Sequence, residues 1–308
     1  MTMRSLKFWL SMFVMTSVFL ALGGIFDRRC RGGCLREVIL MHLDNDAVND
    51  GNGARRTRDG KLIKARIAEP LNVVIEEKAR NQLTIKSYVT NWVIRQKKGL
   101  TTPRLTVSGY RPPEEWRIED KDGELKIEMR KRGPRRAELE IPESFSSSLE
   151  LINVSGEVTF EAPFDLKRIK VTNVSGLVSL QELPREKLEL STVTGSIQVN
   201  QRLQDAKTTI EVQSVSGDVD MRLKGEFEHM HVESVSGSVF LRIPESVAFS
   251  YKLESVSGNF SGFPPDAEES REFGEKNLEG NIGAPTRTAL QFETISGEFQ
   301  LMQDKMEP

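Results

Sequence analysis

From residue 149 the chain reads LELINVSGEVTF (149–160), and it returns to this pattern six more times. The later copies are IKVTNVSGLVSL (169–180), LELSTVTGSIQV (188–199), IEVQSVSGDVDM (210–221), MHVESVSGSVFL (230–241), YKLESVSGNFSG (251–262) and LQFETISGEFQL (290–301). With φ for an apolar residue, the template is φ-x-φ-x-x-φ-[ST]-G-x-φ-x-φ, and Gly262 alone departs from it. A period near 20 residues with strand-like chemistry predicts a β-solenoid, in which each copy is one coil and stacked coils share a core.

The two φ-x-φ arms of each copy alternate with period two, which indicates two half-buried strands. The segment between them breaks this alternation and predicts a bend. Glycine at the bend supplies either a positive φ or a close approach to the next coil. The repeat glycines are Gly156, Gly176, Gly195, Gly217, Gly237, Gly258 and Gly297. The last two lie 39 residues apart, nearly two periods, so we expect one coil there to be degenerate or replaced by a loop.

A hydroxyl residue precedes every repeat glycine: Ser155, Ser175, Thr194, Ser216, Ser236, Ser257 and Ser296. In stacked coils these residues form a ladder with a spacing of about 4.8 Å. Their hydroxyls can bond along the stack or to backbone groups of the bend. We favour a structural ladder that fixes the bend, and a ligand-binding ladder on this edge is the alternative. Three copies also carry N-x-S sequons, at Asn153, Asn173 and Asn259. We interpret the sequon as a by-product of the repeat, because other copies hold Ser or Thr at the Asn153 position.

The repeats hold few residues suited to catalysis or metal binding. Asp218 and Asp220 flank Val219 and are expected to form a solvated outward face. His229 and His231 share an outward face and could bind a metal, but the sequence predicts no third ligand. We therefore predict no catalytic residue, no cofactor and no metal site, and expect a protein that is not an enzyme.

The chain before the repeats divides into three parts. Residues 62–142 are β-rich, with short strand-like runs at 71–75, 83–89, 105–107 and 125–129, and they are expected to form the N-terminal part of the solenoid that continues through 143–308. Residues 27–61 are a polar linker, richest in turn-forming residues from 44 to 61. Residues 1–26 form the third part.

An apolar run without charge extends over 19 residues, from Phe8 to Phe26. A helix of this length rises about 28 Å, close to the thickness of a bilayer core. We predict a single-pass anchor that stays uncleaved and holds an extracytoplasmic body; a signal peptide cleaved after Ala21-Leu22-Gly23 is the alternative. Cys30 and Cys34 follow the run and can form a disulfide or remain thiols.

The net charge of −2 hides an asymmetry, because residues 27–136 carry +10 and residues 137–308 carry −14. This balance argues against a wholly basic nucleic-acid-binding protein. The densest basic group is Arg130, Lys131, Arg132, Arg135 and Arg136. We expect it either to contact an anionic lipid surface or cell-wall polymer, or to form solvated loops.

The repeats resemble the DUF4097 family of bacterial envelope proteins, which are labelled as adhesins on their architecture. The resemblance covers roughly residues 120–301 and includes the lead-in Asp122-Gly-Glu-Leu-Lys-Ile127, the segment Ala137-Glu-Leu-Glu-Ile-Pro142 and the seven S-x-S-G-like copies. It implies a β-solenoid, often tethered to a membrane, and no catalytic residues. We thus expect a non-enzymatic, membrane-tethered binding or scaffolding protein of the envelope. The alternatives are a carbohydrate-active enzyme on the same fold and a component of envelope-stress signalling.

Overall fold

A computed structural model describes residues 54–56, 62–64, 71–74, 81–108, 116–121, 123–129, 135–201, 208–265, 267–272, 275–284 and 288–304. These residues form strands, bends and turns, and no helix occurs among them. A search of the same residues for an apolar helix of bilayer-spanning length finds none. The predicted N-terminal helix, Cys30 and Cys34 lie outside the described residues.

Twenty-five strands, numbered along the chain, make up the described fold. They are β1 (Ala54–Arg56), β2 (Leu62–Lys64), β3 (Leu71–Val74), β4 (Gln82–Val89), β5 (Asn91–Lys97), β6 (Arg104–Ser108), β7 (Trp116–Lys121), β8 (Glu124–Met129), β9 (Arg136–Pro142), β10 (Ser148–Ser155), β11 (Val158–Glu161), β12 (Arg168–Ser175), β13 (Leu177–Leu180), β14 (Lys187–Thr192), β15 (Ser196–Asn200), β16 (Thr209–Ser214), β17 (Val219–Arg222), β18 (His229–Ser234), β19 (Ser238–Pro244), β20 (Phe249–Ser255), β21 (Asn259–Ser261), β22 (Glu268–Glu272), β23 (Glu275–Ile282), β24 (Ala289–Thr294) and β25 (Glu298–Asp304).

Two large sheets contain all of these strands except the β1–β2 hairpin. The twelve-stranded sheet has the order β22-β23-β20-β24-β18-β16-β14-β12-β10-β4-β8-β7, and the eleven-stranded sheet has the order β21-β25-β19-β17-β15-β13-β11-β5-β9-β6-β3. Pairing is parallel through the middle of both sheets. It becomes antiparallel only toward the ends, at β7–β8, β3–β6–β9 and β20–β23–β22.

Each repeat contributes one strand to each large sheet, in strict register. Leu149 lies beside Ile169, which lies beside Leu188 on the next coil. These three side chains are buried, and the apolar residues of both arms form one hydrophobic core along the stack. The alternation of buried and exposed residues along most repeat strands explains the register, because a slip of one residue would turn the apolar set outward. The expected all-β, solenoid-like fold of parallel strands is confirmed.

The coils do not stack in chain order at the C-terminal end. The seventh copy, β24 and β25, lies between the fifth copy, β18 and β19, and the sixth copy, β20 and β21. The 39-residue interval was expected to hold a degenerate coil or a loop. Instead it contains the antiparallel strands β22 and β23, which extend the edge of the twelve-stranded sheet beyond β20. The chain then returns to insert the last coil.

Aromatic side chains fill the core around the inserted coil. The ring centroids of Phe292 and Phe299 are 4.7 Å apart, and those of Tyr251 and Phe263 are also 4.7 Å apart. Phe260 packs edge-on against Phe292. Aromatic pairs at such distances stabilise a core beyond the area they bury, so this cluster holds the last three coils together.

The strands before the repeats belong to the same two sheets. The predicted runs at 71–75, 83–89, 105–107 and 125–129 correspond to β3, β4, β6 and β8. The chain reverses its stacking order here as well, because β4 and β5 pair with the first repeat while β8 and β9 lie outside them. Residues 54–56 of the predicted linker form strand β1, which pairs with β2.

Candidate functional site

The repeat glycines stack into a column at the bend of the solenoid. A β-carbon on Gly237 would lie 2.7 Å from the carbonyl oxygen of Gly217, and one on Gly297 would lie 2.7 Å from that of Gly237. Comparable overlaps with a carbonyl of the neighbouring coil occur at Gly156, Gly176, Gly195, Gly217 and Gly258. No side chain fits in this column, so close approach between coils requires glycine at all seven positions.

The bends are of two kinds, which differ in the backbone of the glycine. Gly156 and Gly237 have φ of +119° and Gly176 has φ of +104°, in the region that disfavours other residues. In the other four bends the glycine N–H is bound by a hydroxyl three residues earlier, as in the bond from Gly297 N to Thr294 Oγ1 at 2.8 Å. The same bond occurs at Thr192, Ser214 and Ser255. Of the two expected reasons for glycine, close approach therefore applies throughout and positive φ in three bends.

The hydroxyl ladder bonds to the backbone of the adjacent coil. Six of its seven members donate to the carbonyl of an apolar residue one coil away, at 3.1 to 3.4 Å. These members are Ser175, Thr194, Ser216, Ser236, Ser257 and Ser296; the seventh, Ser155, lies beside Ser175 in the register. Because six of the seven hydroxyl protons are used in this way, the ladder offers a ligand mainly the outward lone pairs of its oxygens.

A second polar ladder runs inside the bend, at a position that the sequence template marks as x. Its members are Ser87, Asn153, Asn173, Thr192, Ser214, Ser234, Ser255 and Thr294, all of them buried. The Asn153 amide nitrogen donates to the carbonyl of Ser155 at 2.9 Å, and its oxygen accepts from Ser87 Oγ at 2.7 Å. The sequence template does not single out this ladder, although every copy holds Asn, Ser or Thr there.

The apolar position of the bend faces outward instead. It forms the outer apolar row, which consists of Tyr88, Val154, Val174, Val193, Val215, Val235, Ile295 and Val256 in spatial order, each partly or fully exposed. Eight residues at the spacing of paired strands make a row about 34 Å long. The strand alternation simply continues into the bend, so the polar residue turns inward and the apolar residue outward. We call this row together with the hydroxyl ladder the bend edge.

The outer face of the twelve-stranded sheet brings a histidine and two glutamates together. His231 and Glu233 lie on β18, and Glu293 lies on the inserted strand β24. The Nε2 atom of His231 is 3.5 Å from an oxygen of Glu233 and 3.7 Å from an oxygen of Glu293. One nitrogen and two oxygens thus lie within 4.8 Å of one another. The metal pair considered from the sequence, His229 with His231, does not converge; His229 stays exposed outside this cluster.

Two glutamines hold the carboxylates of this cluster. Gln213 on β16 donates to Glu233 Oε2 at 3.1 Å, and Gln291 on β24 donates to Glu293 Oε1 at 2.8 Å. Burial raises the pKa of the Glu233 carboxyl; the charged form of His231 opposes this shift, and the Glu293 carboxylate adds to it. The cluster therefore concentrates negative charge in a partly desolvated place.

The remaining residues that the sequence singled out are spread over the surface. Asp218 is exposed and accepts the backbone N–H of Ser238 on the next coil at 3.0 Å, which is a structural bond. Arg135 and Arg136 are exposed at the start of β9, and Arg136 pairs with Glu138 at 3.0 Å. Arg130, Lys131 and Arg132 lie outside the described residues.

Comparisons with known proteins give one family and several distant structures. The sequence model of the family described as Toastrack DUF4097 matches residues 67–302. No curated protein matches the chain. Among solved structures, an inferred adhesin from Bacteroides fragilis has a TM-score of 0.43 and 14% identity, over 76% of this chain and 97% of its own. An inferred adhesin from Parabacteroides distasonis has a TM-score of 0.38 and 13% identity, over 76% and 96%. An inferred cell adhesion protein from Clostridium sporogenes has a TM-score of 0.34 and 11% identity, over 77% and 99%.

Proposed function

Because the chain belongs to the Toastrack DUF4097 family, we propose that it is a non-enzymatic binding or scaffolding protein of the cell envelope. Residues 8–26 tether it to the membrane as a single helix, and the body is extracytoplasmic. The uncharged apolar run of 19 residues supports the tether.

The bend edge is the surface through which the protein binds. The observation that carries this proposal is the outer apolar row of eight residues beside the hydroxyl ladder of seven, with every member partly or fully exposed. Contiguous exposed apolar surface marks interaction sites in soluble domains. The row is also stiff, because its carbonyls accept bonds from both the backbone and the hydroxyls of the next coil, as Val215 does from Ser236. Little conformational entropy is then lost when a ligand binds.

The regular spacing of the edge suits an extended repeating ligand. Each of the seven repeat copies presents one apolar side chain and one hydroxyl oxygen, at intervals of about 4.8 Å. A polymer that matches this spacing gains affinity at every coil, since linked contacts add up through effective concentration. A cell-wall polymer or an extended segment of an envelope protein has the required form.

Binding of the full chain to insoluble envelope material tests the proposal. The chain in mild detergent is mixed with isolated cell-wall and membrane fractions, and the bound fraction is measured after sedimentation. The variant Val193→Glu/Val215→Glu places two charges in the outer apolar row and should lose most of the binding. Its control is Ser179→Glu/Gln198→Glu, which places two charges on paired outward positions of the eleven-stranded sheet.

Equal losses in both double variants would refute the bend edge as the binding surface. Release of soluble fragments from the wall fraction by the wild-type chain would contradict the non-enzymatic role and favour a carbohydrate-active enzyme. Circular dichroism spectra and melting temperatures of both variants confirm that each one is folded before binding is compared.

A further inference from the structure

The donor atoms of His231, Glu233 and Glu293 all lie within 4.8 Å of one another, close enough to share a single metal ion. Zinc is bound at about 2.0–2.2 Å by imidazole nitrogen and carboxylate oxygen, in tetrahedral geometry. Two ligands at such distances lie about 3.4 Å apart. The observed separations from His231 Nε2 are 3.5 Å and 3.7 Å, so a small movement of the side chains would place an ion between the three atoms.

A direct ion pair explains the same geometry less well. A charged imidazole that donates to a carboxylate does so at about 2.7–2.9 Å, which is well below both observed distances. The Nε2 atom of His231 is buried yet has no hydrogen-bond partner in the structure, although two carboxylates face it. A buried polar atom without a partner requires an explanation, and a bound cation supplies one.

We propose that His231, Glu233 and Glu293 bind a divalent transition-metal ion of the zinc class on the outer face of the twelve-stranded sheet. Mixed nitrogen and oxygen ligands suit Zn²⁺ and its neighbours rather than Ca²⁺ or Mg²⁺, which take oxygen ligands. The His231 side chain is 37% exposed, so the cluster opens to solvent on one side. Water completes the coordination from that side.

The glutamines act as the outer shell of this site. Gln213 and Gln291 each fix one carboxylate by a hydrogen bond, and such partners commonly raise metal affinity about 10- to 100-fold. The ion also offsets the repulsion between Glu233 and Glu293. It bridges β18 to β24, which are far apart in the sequence but adjacent in the sheet, and so it clamps the inserted coil to the fifth copy.

Zinc titration of the full chain tests this site. All proteins carry Cys30→Ser, Cys34→Ser and His42→Gln, which removes both cysteines and leaves His229 and His231 as the histidines. They are purified in detergent without a histidine tag and stripped with a chelator. Isothermal titration should show one Zn²⁺ per chain, and Co²⁺ should give the absorption bands of a tetrahedral nitrogen–oxygen site. Zinc should also raise the melting temperature.

Matched variants separate the proposed ligands from their surroundings. His231→Gln and Glu293→Gln should abolish one-to-one binding. His229→Gln, on the same strand and the same face, should leave it unchanged. Gln291→Ala should weaken binding about 10-fold or more, and it keeps the test decisive if a ligand variant fails to fold. Binding that survives His231→Gln, or that is lost equally in His229→Gln, would overturn the proposal.

Discussion

A β-carbon placed on Gly217 would overlap the carbonyl oxygen of Gly195 on the neighbouring coil. The φ of Gly217 is not in the left-handed region, so the obstacle at this position is the contact between coils and not the conformation of the backbone. Gly99 shows the opposite case. Its φ is +78°, and no atom beyond its chain neighbours lies within 4 Å of the place where a β-carbon would be. The two glycines therefore separate the two physical reasons for glycine, which are contact between coils at Gly217 and a positive φ at Gly99.

Gly217→Ala should lower the free energy of unfolding by about 2–3 kcal/mol, because the added methyl group forces two coils apart. Gly99→Ala should cost about 1 kcal/mol, since only backbone strain opposes it. Ser238→Ala, on an outward position of the next coil, should be nearly neutral. Urea unfolding measures all three. If Gly217→Ala proves no more destabilising than Gly99→Ala, coil contact is not what requires glycine in the column.

Asn153→Ala should destabilise the fold more than Val154→Ala, although the sequence template marks valine as the apolar position of the bend. Asn153 is fully buried, and its loss removes the acceptor of the buried Ser87 hydroxyl and one of the two bonds that the Ser155 carbonyl accepts. Unsatisfied buried groups cost about 1–3 kcal/mol each. Val154 points outward and should cost less than about 1 kcal/mol. The reverse order of melting temperatures would contradict the inner polar ladder.

Glu140 should make stability depend on pH on the acidic side. Glu140 is buried, and the Lys97 ammonium donates a hydrogen bond to it at 2.8 Å, which lowers the pKa of the Glu140 carboxyl. Burial raises this pKa, but the charges of Arg95 and Arg104 also lower it, and the net shift is downward. A lowered pKa in the folded state means that the stabilisation is present above the unfolded value of about 4.3 and is lost as pH falls through the folded value.

Glu140→Gln should therefore lower the free energy of unfolding by about 1–2 kcal/mol at pH 7. The difference from wild type should disappear at a pH well below 4. Urea denaturation at several pH values provides the measurement. A difference between the two proteins that stays constant from pH 7 to pH 2 would show that the Glu140 charge does not contribute.

Residues 44–308 should remain soluble without detergent, because the one long uncharged apolar run of the sequence is at Phe8–Phe26. The full chain should sediment with membranes, and the shortened chain should stay in the supernatant after centrifugation. Equal partitioning of both into the membrane fraction would show that the body itself holds the protein there.

The basic group should bind anionic surfaces at low salt. Vesicles that contain anionic lipid should retain residues 44–308, and added salt should release them, because each basic residue contributes about 1 kcal/mol that is screened over about 8 Å. Reversal of Arg130, Lys131, Arg132, Arg135 and Arg136 to glutamate should abolish binding. Arg135→Glu/Arg136→Glu should weaken it more than Arg222→Glu/Lys224→Glu, which changes two exposed charges elsewhere. Retention that is independent of salt and of these reversals would contradict this contact.

Much of the fold follows from the sequence, because it depends on local rules. Period-two alternation on either side of a glycine predicts two strands and a bend in each copy, and this alternation explains the register between copies. The same rule, continued through the bend, would have identified the buried position of Asn153. The template marks the Asn153 position only as x, because it records which residues are apolar and not which side of the strand each residue faces.

The order of the coils was decided only by the tertiary structure. Equivalent repeats offer nearly identical edges to one another, so local pattern does not determine which two become neighbours. The chain between Gly258 and Gly297 forms β22 and β23 against β20, and the last coil then fills the place between the fifth and sixth copies. That insertion brings Glu293 beside His231 and Glu233. The sequence determined the coils, but the proposed metal site exists only because long-range strand pairing placed the seventh copy against the fifth.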